Sequence, residues 1–297
     1  MPGDARRRPR SAPRTWVAAR RRRLTMRLQG RASGDPRTGT PKHLPPPPPE
    51  CPPGWHTGPP DFVGVGVQRC GTTRWYDLIA AHPEVTGSPA AKELHFFDDL
   101  HSGAPDPEWL GRYDSYFPRA PGQLAGEWTP MYMAAPWIIP LLARVAPQAR
   151  LLVLLRDPVE RYLSGLQLGN RVAQRRGERV SRLAPLDAFA RGLYHSQLTQ
   201  LLRHFDRSQV LVQQYERCTA DPRGELGRTL AFIGVEQTSF TADLEHHPER
   251  QSEKPALDAS TRAAYTEAYR DDVARLVAEF PEIDIELWPN FAGLKPA

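Results

Sequence analysis

Cysteine is scarce in this 297-residue chain, which has only Cys51, Cys70 and Cys218. The three share no paired spacing of the kind that holds zinc, and an odd number excludes a fully paired disulfide framework. No stretch approaches the roughly 18 consecutive apolar residues of a membrane span. The short apolar run at 16–19 is far too brief for a signal-peptide core. The expectation from these absences is a cytoplasmic protein with no transmembrane segment and no metal site. No internal repeat is present.

A net basic balance is missing from most of the chain, although the formal net charge is +5. Residues 1–60 hold 13 basic against 3 acidic side chains, whereas the remainder holds 26 against 31. Fourteen of the 32 prolines also fall in 1–60, including the run at 45–49, and aliphatic residues there are few. Such a composition cannot bury enough apolar surface to offset chain entropy, so 1–60 reads as a disordered Arg/Pro-rich tail and 61–297 as one domain. A slightly acidic domain is a poor electrostatic match for nucleic acid, and no nucleic-acid partner is expected.

From residue 61 the texture changes. Residues 62–67 (F-V-G-V-G-V) form a short β-rich run ending in glycine and polar residues, followed by a helical pattern over 72–81. Residues 150–155 (R-L-L-V-L-L) are a second apolar run, and the proline after Arg156-Asp157 opens a predicted helix over 159–168. A third strand is expected at 210–212, with a helix at 222–233. Further helices are predicted over 137–145, 186–205 and 259–280, while 169–181 and 103–122 read as loops, the first of them mobile. Strands alternating with helices indicate βαβ units and an α/β domain with a mainly parallel sheet. Ligands of such sheets gather beyond the carboxyl ends of the strands.

The segment Gly66-Val67-Gln68-Arg69-Cys70-Gly71-Thr72-Thr73 has the G-x-x-x-x-G spacing of a phosphate-binding loop, set between a strand and a helix. There, backbone N–H groups and a helix N-terminus can hold an anion. It lacks the lysine that a nucleoside triphosphatase places after the second glycine; Thr72 stands there instead. Two readings are open on this loop: a P-loop kinase-like nucleotide-binding enzyme, which would need Mg²⁺, and a non-catalytic anion-binding protein.

The same loop resembles the 5′-phosphosulfate loop of sulfotransferases that use 3′-phosphoadenosine 5′-phosphosulfate (PAPS), with Arg69 where that family usually has lysine. Four further segments follow in the family's order. Lys92-Glu93-Leu94-His95-Phe96-Phe97-Asp98 is similar to the K-E-x-H-F-F-D segment of heparan sulfate sulfotransferases and their bacterial relatives. Gly126-Glu127-Trp128-Thr129-Pro130 resembles their G/V-E-K-T-P segment. Leu154 to Arg161, with Ser164, resembles the 3′-phosphate-binding strand and helix. Tyr215-Glu216 and Ala220-Asp221-Pro222 match a Y-E-x-x-x-x-D-P connector. The likeness runs from about residue 61 to 234.

The resemblance implies a three-layer, P-loop-like α/β domain, PAPS as co-substrate, no metal, and a carbohydrate-like or other small-molecule acceptor. Arg69, Cys70, Gly71, Thr72 and Thr73 would cradle the 5′-phosphosulfate, with Arg69 also stabilising the charge that develops on transfer. Arg156 and Ser164 would hold the 3′-phosphate, and Lys254 would contact the donor from a late loop. Glu93 would be the general base, with His95 and Asp98 shaping the acceptor site. Trp128, an aromatic in place of the family's lysine, is expected to stack on a sugar or ring of the acceptor. Cys70 is expected to be a small tolerated residue, not a redox centre.

Overall fold

In a computed structural model the described residues are 45–87, 92–100, 106–235, 244 and 257–295. Strand β1 (Phe62–Gly66) leads into helix α1 (Thr72–Ala80) and the two-residue strand β2 (Val85–Thr86). Helix α2 (Pro107–Gly111) and a 3₁₀ turn at Arg112–Tyr116 precede β3 (Leu124–Trp128), a second 3₁₀ turn at Tyr132–Ala134 and helix α3 (Ile138–Val145). Then come β4 (Arg150–Leu155), α4 (Pro158–Arg176), α5 (Ala184–Ala190), α6 (Tyr194–Leu202), β5 (Val210–Gln214), α7 (Tyr215–Ala220), α8 (Pro222–Ile233) and α9 (Ala259–Glu279).

The five strands form one sheet in the order β2-β3-β1-β4-β5, and every pairing is parallel. This is the α/β sheet expected from the sequence. All five residues of β1 are buried, as are five of the six in β4, because helices cover both faces of the sheet. Order reverses at β1, whose neighbours are β3 and β4, so the loops after these three strands open onto one crevice. Close packing there demands glycine at position 64, where a Cβ would lie 2.0 Å from the Trp128 ring.

Helix α4 departs from the expected pattern. Asp157 caps it by accepting from the N–H groups of Val159 (2.9 Å) and Glu160 (3.2 Å), and Pro158 occupies the first turn. The helix then continues to Arg176, through most of the stretch expected to be a mobile loop, because Arg, Gln and Ala propagate a helix until Gly177 ends it in the left-handed conformation. The single helix expected over 186–205 is instead two, α5 and α6, broken at 191–193. Residues 107–116, also expected as loop, are helical.

Part of the expected tail makes contacts with the domain. Tyr116 donates to the Pro46 carbonyl (2.7 Å), His56 and Arg119 exchange backbone hydrogen bonds (3.1 and 2.9 Å), and Arg119 reaches the Pro59 carbonyl (2.9 Å). Residues 46, 56 and 59 therefore touch the domain, although most of 45–60 is exposed. Residues 1–44 of the expected tail lie outside the described residues. No helix among the described residues is long and apolar enough to cross a membrane.

Candidate active site

The phosphate loop connects β1 to α1, and its turn is set by two left-handed residues, Arg69 (φ 76°) and Gly71 (φ 85°). Glycine is needed at 71 because a Cβ there would also meet the Tyr215 ring at 2.9 Å. Gly71 is the N-cap of α1 and no side chain caps the helix, so its first N–H groups, with the Thr72 and Thr73 hydroxyls, form a cradle suited to an anion. Cys70 lies beneath the loop, fully buried, and burial pushes its thiol up to about 12. A thiol so raised is unreactive at neutral pH, in keeping with a purely packing role.

Next along the sheet, β4 is followed by Arg156, whose Nη1 donates to the Arg69 carbonyl (3.3 Å) and whose guanidinium lies 4.8 Å from the centre of the Tyr215 ring. Tyr194 on α6 fixes the backbone at that point by donating to the Arg156 carbonyl (2.8 Å). Ser164 lies two turns into α4, and Arg69 Nε donates to its Oγ at 2.9 Å. Arg69 thus links Arg156 and Ser164, its carbonyl accepting from the first and its side chain pointing toward the second.

The turn below Arg156 is tied down by the far end of the chain. Asp157 accepts from both the backbone N–H (3.1 Å) and the side-chain amide (2.8 Å) of Asn290. The Asp157 N–H donates to Glu216 (3.1 Å), which also accepts from the Trp288 indole (3.0 Å). Burial raises both Asp157 and Glu216 above the usual carboxylate range, against these hydrogen bonds. The sequence likeness had faded before residues 288–290, and their part in holding the turn had no signal in it.

On the other side of β1, residues 92–98 lie along the carboxyl end of β3. The Glu93 N–H donates to the Trp128 carbonyl (2.9 Å), and so does Lys92 Nζ (3.3 Å). Lys92 Nζ is 3.2 Å from Glu93 Oε1, with the lysine side chain 11% exposed and that of Glu93 33%. Burial lowers the Lys92 pKa, with Glu93 opposing the shift. His95 Nδ1 is 2.6 Å from Asp98 Oδ2, and its Nε2 lies 4.0 Å from Glu93 Oε2. Glu93, His95 and Asp98 therefore form one cluster, with Lys92 an addition the motif contained without a role assigned. Both Glu93 (φ 56°) and His95 (φ 54°) are held in the left-handed region, where non-glycine residues cost energy and cluster at functional sites.

Two expectations need correction or fall away. Trp128 is fully buried, its indole N–H donating to the Gly66 carbonyl (3.1 Å) beneath the phosphate loop, so it is not a surface on which an acceptor can stack. Trp128 is the register partner of Gly64 on β1, and the missing side chain there leaves room for the ring on that face of the sheet. Lys254 lies outside the described residues.

Residues 59–263 match the family model described as the sulfotransferase domain, which covers more than half of the chain. The chain belongs to the sulfotransferase domain family. Among curated proteins this sulfotransferase domain is 32% identical over 193 residues to heparan sulfate glucosamine 3-O-sulfotransferase 6 of Homo sapiens, covering 60% of this chain and 53% of that protein. It is 31% identical over 189 residues to the human heparan sulfate glucosamine 3-O-sulfotransferase 3B1, covering 60% and 47%. The chain thus spans about half the length of the curated relatives it matches. A solved sulfotransferase from Alicyclobacillus acidocaldarius superposes with a TM-score of 0.62 at 24% identity, over 78% of this chain and 99% of that one, a likeness of fold. The P-loop-like three-layer architecture follows.

Proposed function

We propose that this chain transfers a sulfuryl group from PAPS to a hydroxyl or amine of a carbohydrate acceptor. The observation that carries the reading is the meeting, at one sheet edge, of an uncapped helix N-terminus, the Arg156 and Ser164 pair, and the Glu93 carboxylate on the neighbouring strand's loop. The names of the curated relatives support the carbohydrate acceptor.

The residues present fit the donor. The Gly71 cradle leaves no room for a Cβ but presents unused N–H groups, which suits the 5′-phosphosulfate. Arg156 offers a planar fork and Ser164 a hydroxyl to the 3′-phosphate. PAPS supplies an already activated sulfuryl group, so the reading expects no metal requirement. Arg69, always charged, stabilises negative charge at the phosphate loop. Glu93 accepts the proton of the acceptor as its oxygen or nitrogen bonds to sulfur and the bond from sulfur to the 5′-phosphate oxygen breaks. His95, braced by Asp98, and Lys92 set the charge around Glu93.

Isothermal titration with 3′-phosphoadenosine 5′-phosphate (PAP), with AMP and ATP as controls, tests the donor site. Magnesium-independent binding that requires the 3′-phosphate, and is lost in an Arg156→Ala, Ser164→Ala double variant, is the expected result. A preference for ATP with magnesium would instead favour a kinase-like enzyme.

A further inference from the structure

Glu127 is fully buried on β3, and nothing in the proposed chemistry uses it. Tyr113 donates to its Oε1 and Thr129 Oγ1 donates to its Oε2 at 2.6 Å. The Tyr132 hydroxyl lies beside it as a third neighbour. Two of these hydroxyls have a second task. Thr129 Oγ1 accepts from the His95 N–H (3.3 Å) and the Tyr132 hydroxyl accepts from the Phe96 N–H (3.0 Å).

Counting protons gives this cluster a direction. Each hydroxyl that accepts from a loop amide has its own proton left to donate inward, and that of Thr129 goes to Glu127. We infer that Glu127 is a positioning residue, which through the hydroxyls of Thr129 and Tyr132 fixes the backbone of His95 and Phe96 and so the placement of Glu93. This rests on the reading of Glu93 as the base.

The loop needs such a holder. Left-handed Glu93 and His95 persist only if their surroundings over-determine them. Phe96 and Phe97 supply one anchor by packing among Tyr113, Tyr116 and Tyr132, but apolar contacts tolerate sliding, whereas hydrogen bonds fix the orientation of a peptide. The charged and titratable groups around Glu127 are Tyr113, Tyr132, His95 and Lys92, so the carboxylate sits inside the acceptor half of the site, apart from the donor half.

Three substitutions test this. Thr129→Val removes one bridging hydroxyl at nearly constant volume, Glu127→Gln turns an N–H₂ toward a hydroxyl that already donates inward, and Thr129→Ser restores the hydroxyl. In Thr129→Val and Glu127→Gln, turnover should fall about tenfold or more, because small misplacements of a reacting group are costly. PAP affinity should stay within about twofold, since these residues touch no donor group, and Thr129→Ser should recover most of the activity. Hydrogen exchange should quicken at the His95 and Phe96 amides while residues 66–73 keep their protection. Unchanged exchange at these two amides, or an equal loss of PAP affinity and turnover, overturns the inference. Absence of sulfuryl transfer by the unmodified chain would instead remove the proposed function, and the exchange result would still decide whether Glu127 holds the loop.

Discussion

Arg69 Nε donates to Ser164 Oγ at 2.9 Å, which joins the loop after β1 to the helix after β4 across 95 positions of sequence. The two ends of a PAPS donor would thus be sensed by residues already in contact. A hydrogen bond involving a charged group contributes about 1.5–3 kcal/mol, so Arg69→Ala and Ser164→Ala should each weaken PAP binding by about tenfold or more. In the double variant the losses should be less than additive, as for residues sharing one hydrogen bond. Additive losses in calorimetry would show that the contact does not couple the two phosphate sites.

Glu93 stands apart from that donor half. Glu93→Gln keeps the volume and the backbone bond to Trp128 but removes the base, and general-base catalysis supplies about 10²–10⁴-fold. Turnover should fall by that order with PAP affinity unchanged. Full activity in the variant would take Glu93 out of the mechanism.

Much of this arrangement was legible in the sequence because buried parallel strands are continuous apolar runs: 62–67, 150–155 and 210–212 all read as strands. Strand β3 (L-A-G-E-W) did not, since its glycine admits the close approach of Phe62 and its glutamate is buried, and neither looks like core when read alone. Arg69 and Arg156 follow strands that could be read from the sequence, whereas the roles expected of Ser164 and Glu93 came from the resemblance to sulfotransferases. Glu127 could not be given a role, because a carboxylate enclosed by the hydroxyls of Tyr113, Thr129 and Tyr132 has the same letter as one in solvent. The outward stacking expected of Trp128 failed for a related reason: the space that swallows its ring is created by Gly64 on another strand.

That burial gives Trp128 a measurable consequence. Truncating a buried tryptophan typically costs about 3–5 kcal/mol, so Trp128→Ala should lower the thermal midpoint by about 6–20 °C or prevent folding. Trp128→Phe, which keeps most of the packing but loses the bond to the Gly66 carbonyl, should fold and leave acceptor KM little changed. A large rise in acceptor KM in that folded variant would restore Trp128 as an acceptor contact.

Thiol reactivity offers a check on the ground under the phosphate loop. Cys51 is exposed, whereas Cys70 and Cys218 are buried with thiols that burial pushes well up. Iodoacetamide at pH 8 should modify Cys51 in the native protein, with Cys70 and Cys218 reacting only after denaturation. Rapid native labelling of Cys70 would mean that the loop opens far more often than its packing implies.

The last expectation concerns pH. Burial raises the Glu127 carboxyl from 4.5 to about 7, against the pull of the hydroxyls of Thr129, Tyr113 and Tyr132. Between these two values the folded chain holds a proton that the unfolded chain has lost. The contribution of this group is therefore fully present below about pH 4.5 and declines as pH rises through about 7, by at most about 3 kcal/mol. Glutamine cannot titrate, so Glu127→Gln should gain stability relative to the unmodified protein as pH goes from 5 to 7.5, whatever the other carboxyls do to both. Denaturant midpoints of the pair across that range measure it. A gap between the two proteins that stays constant with pH would mean that Glu127 titrates alike in the folded and unfolded chain.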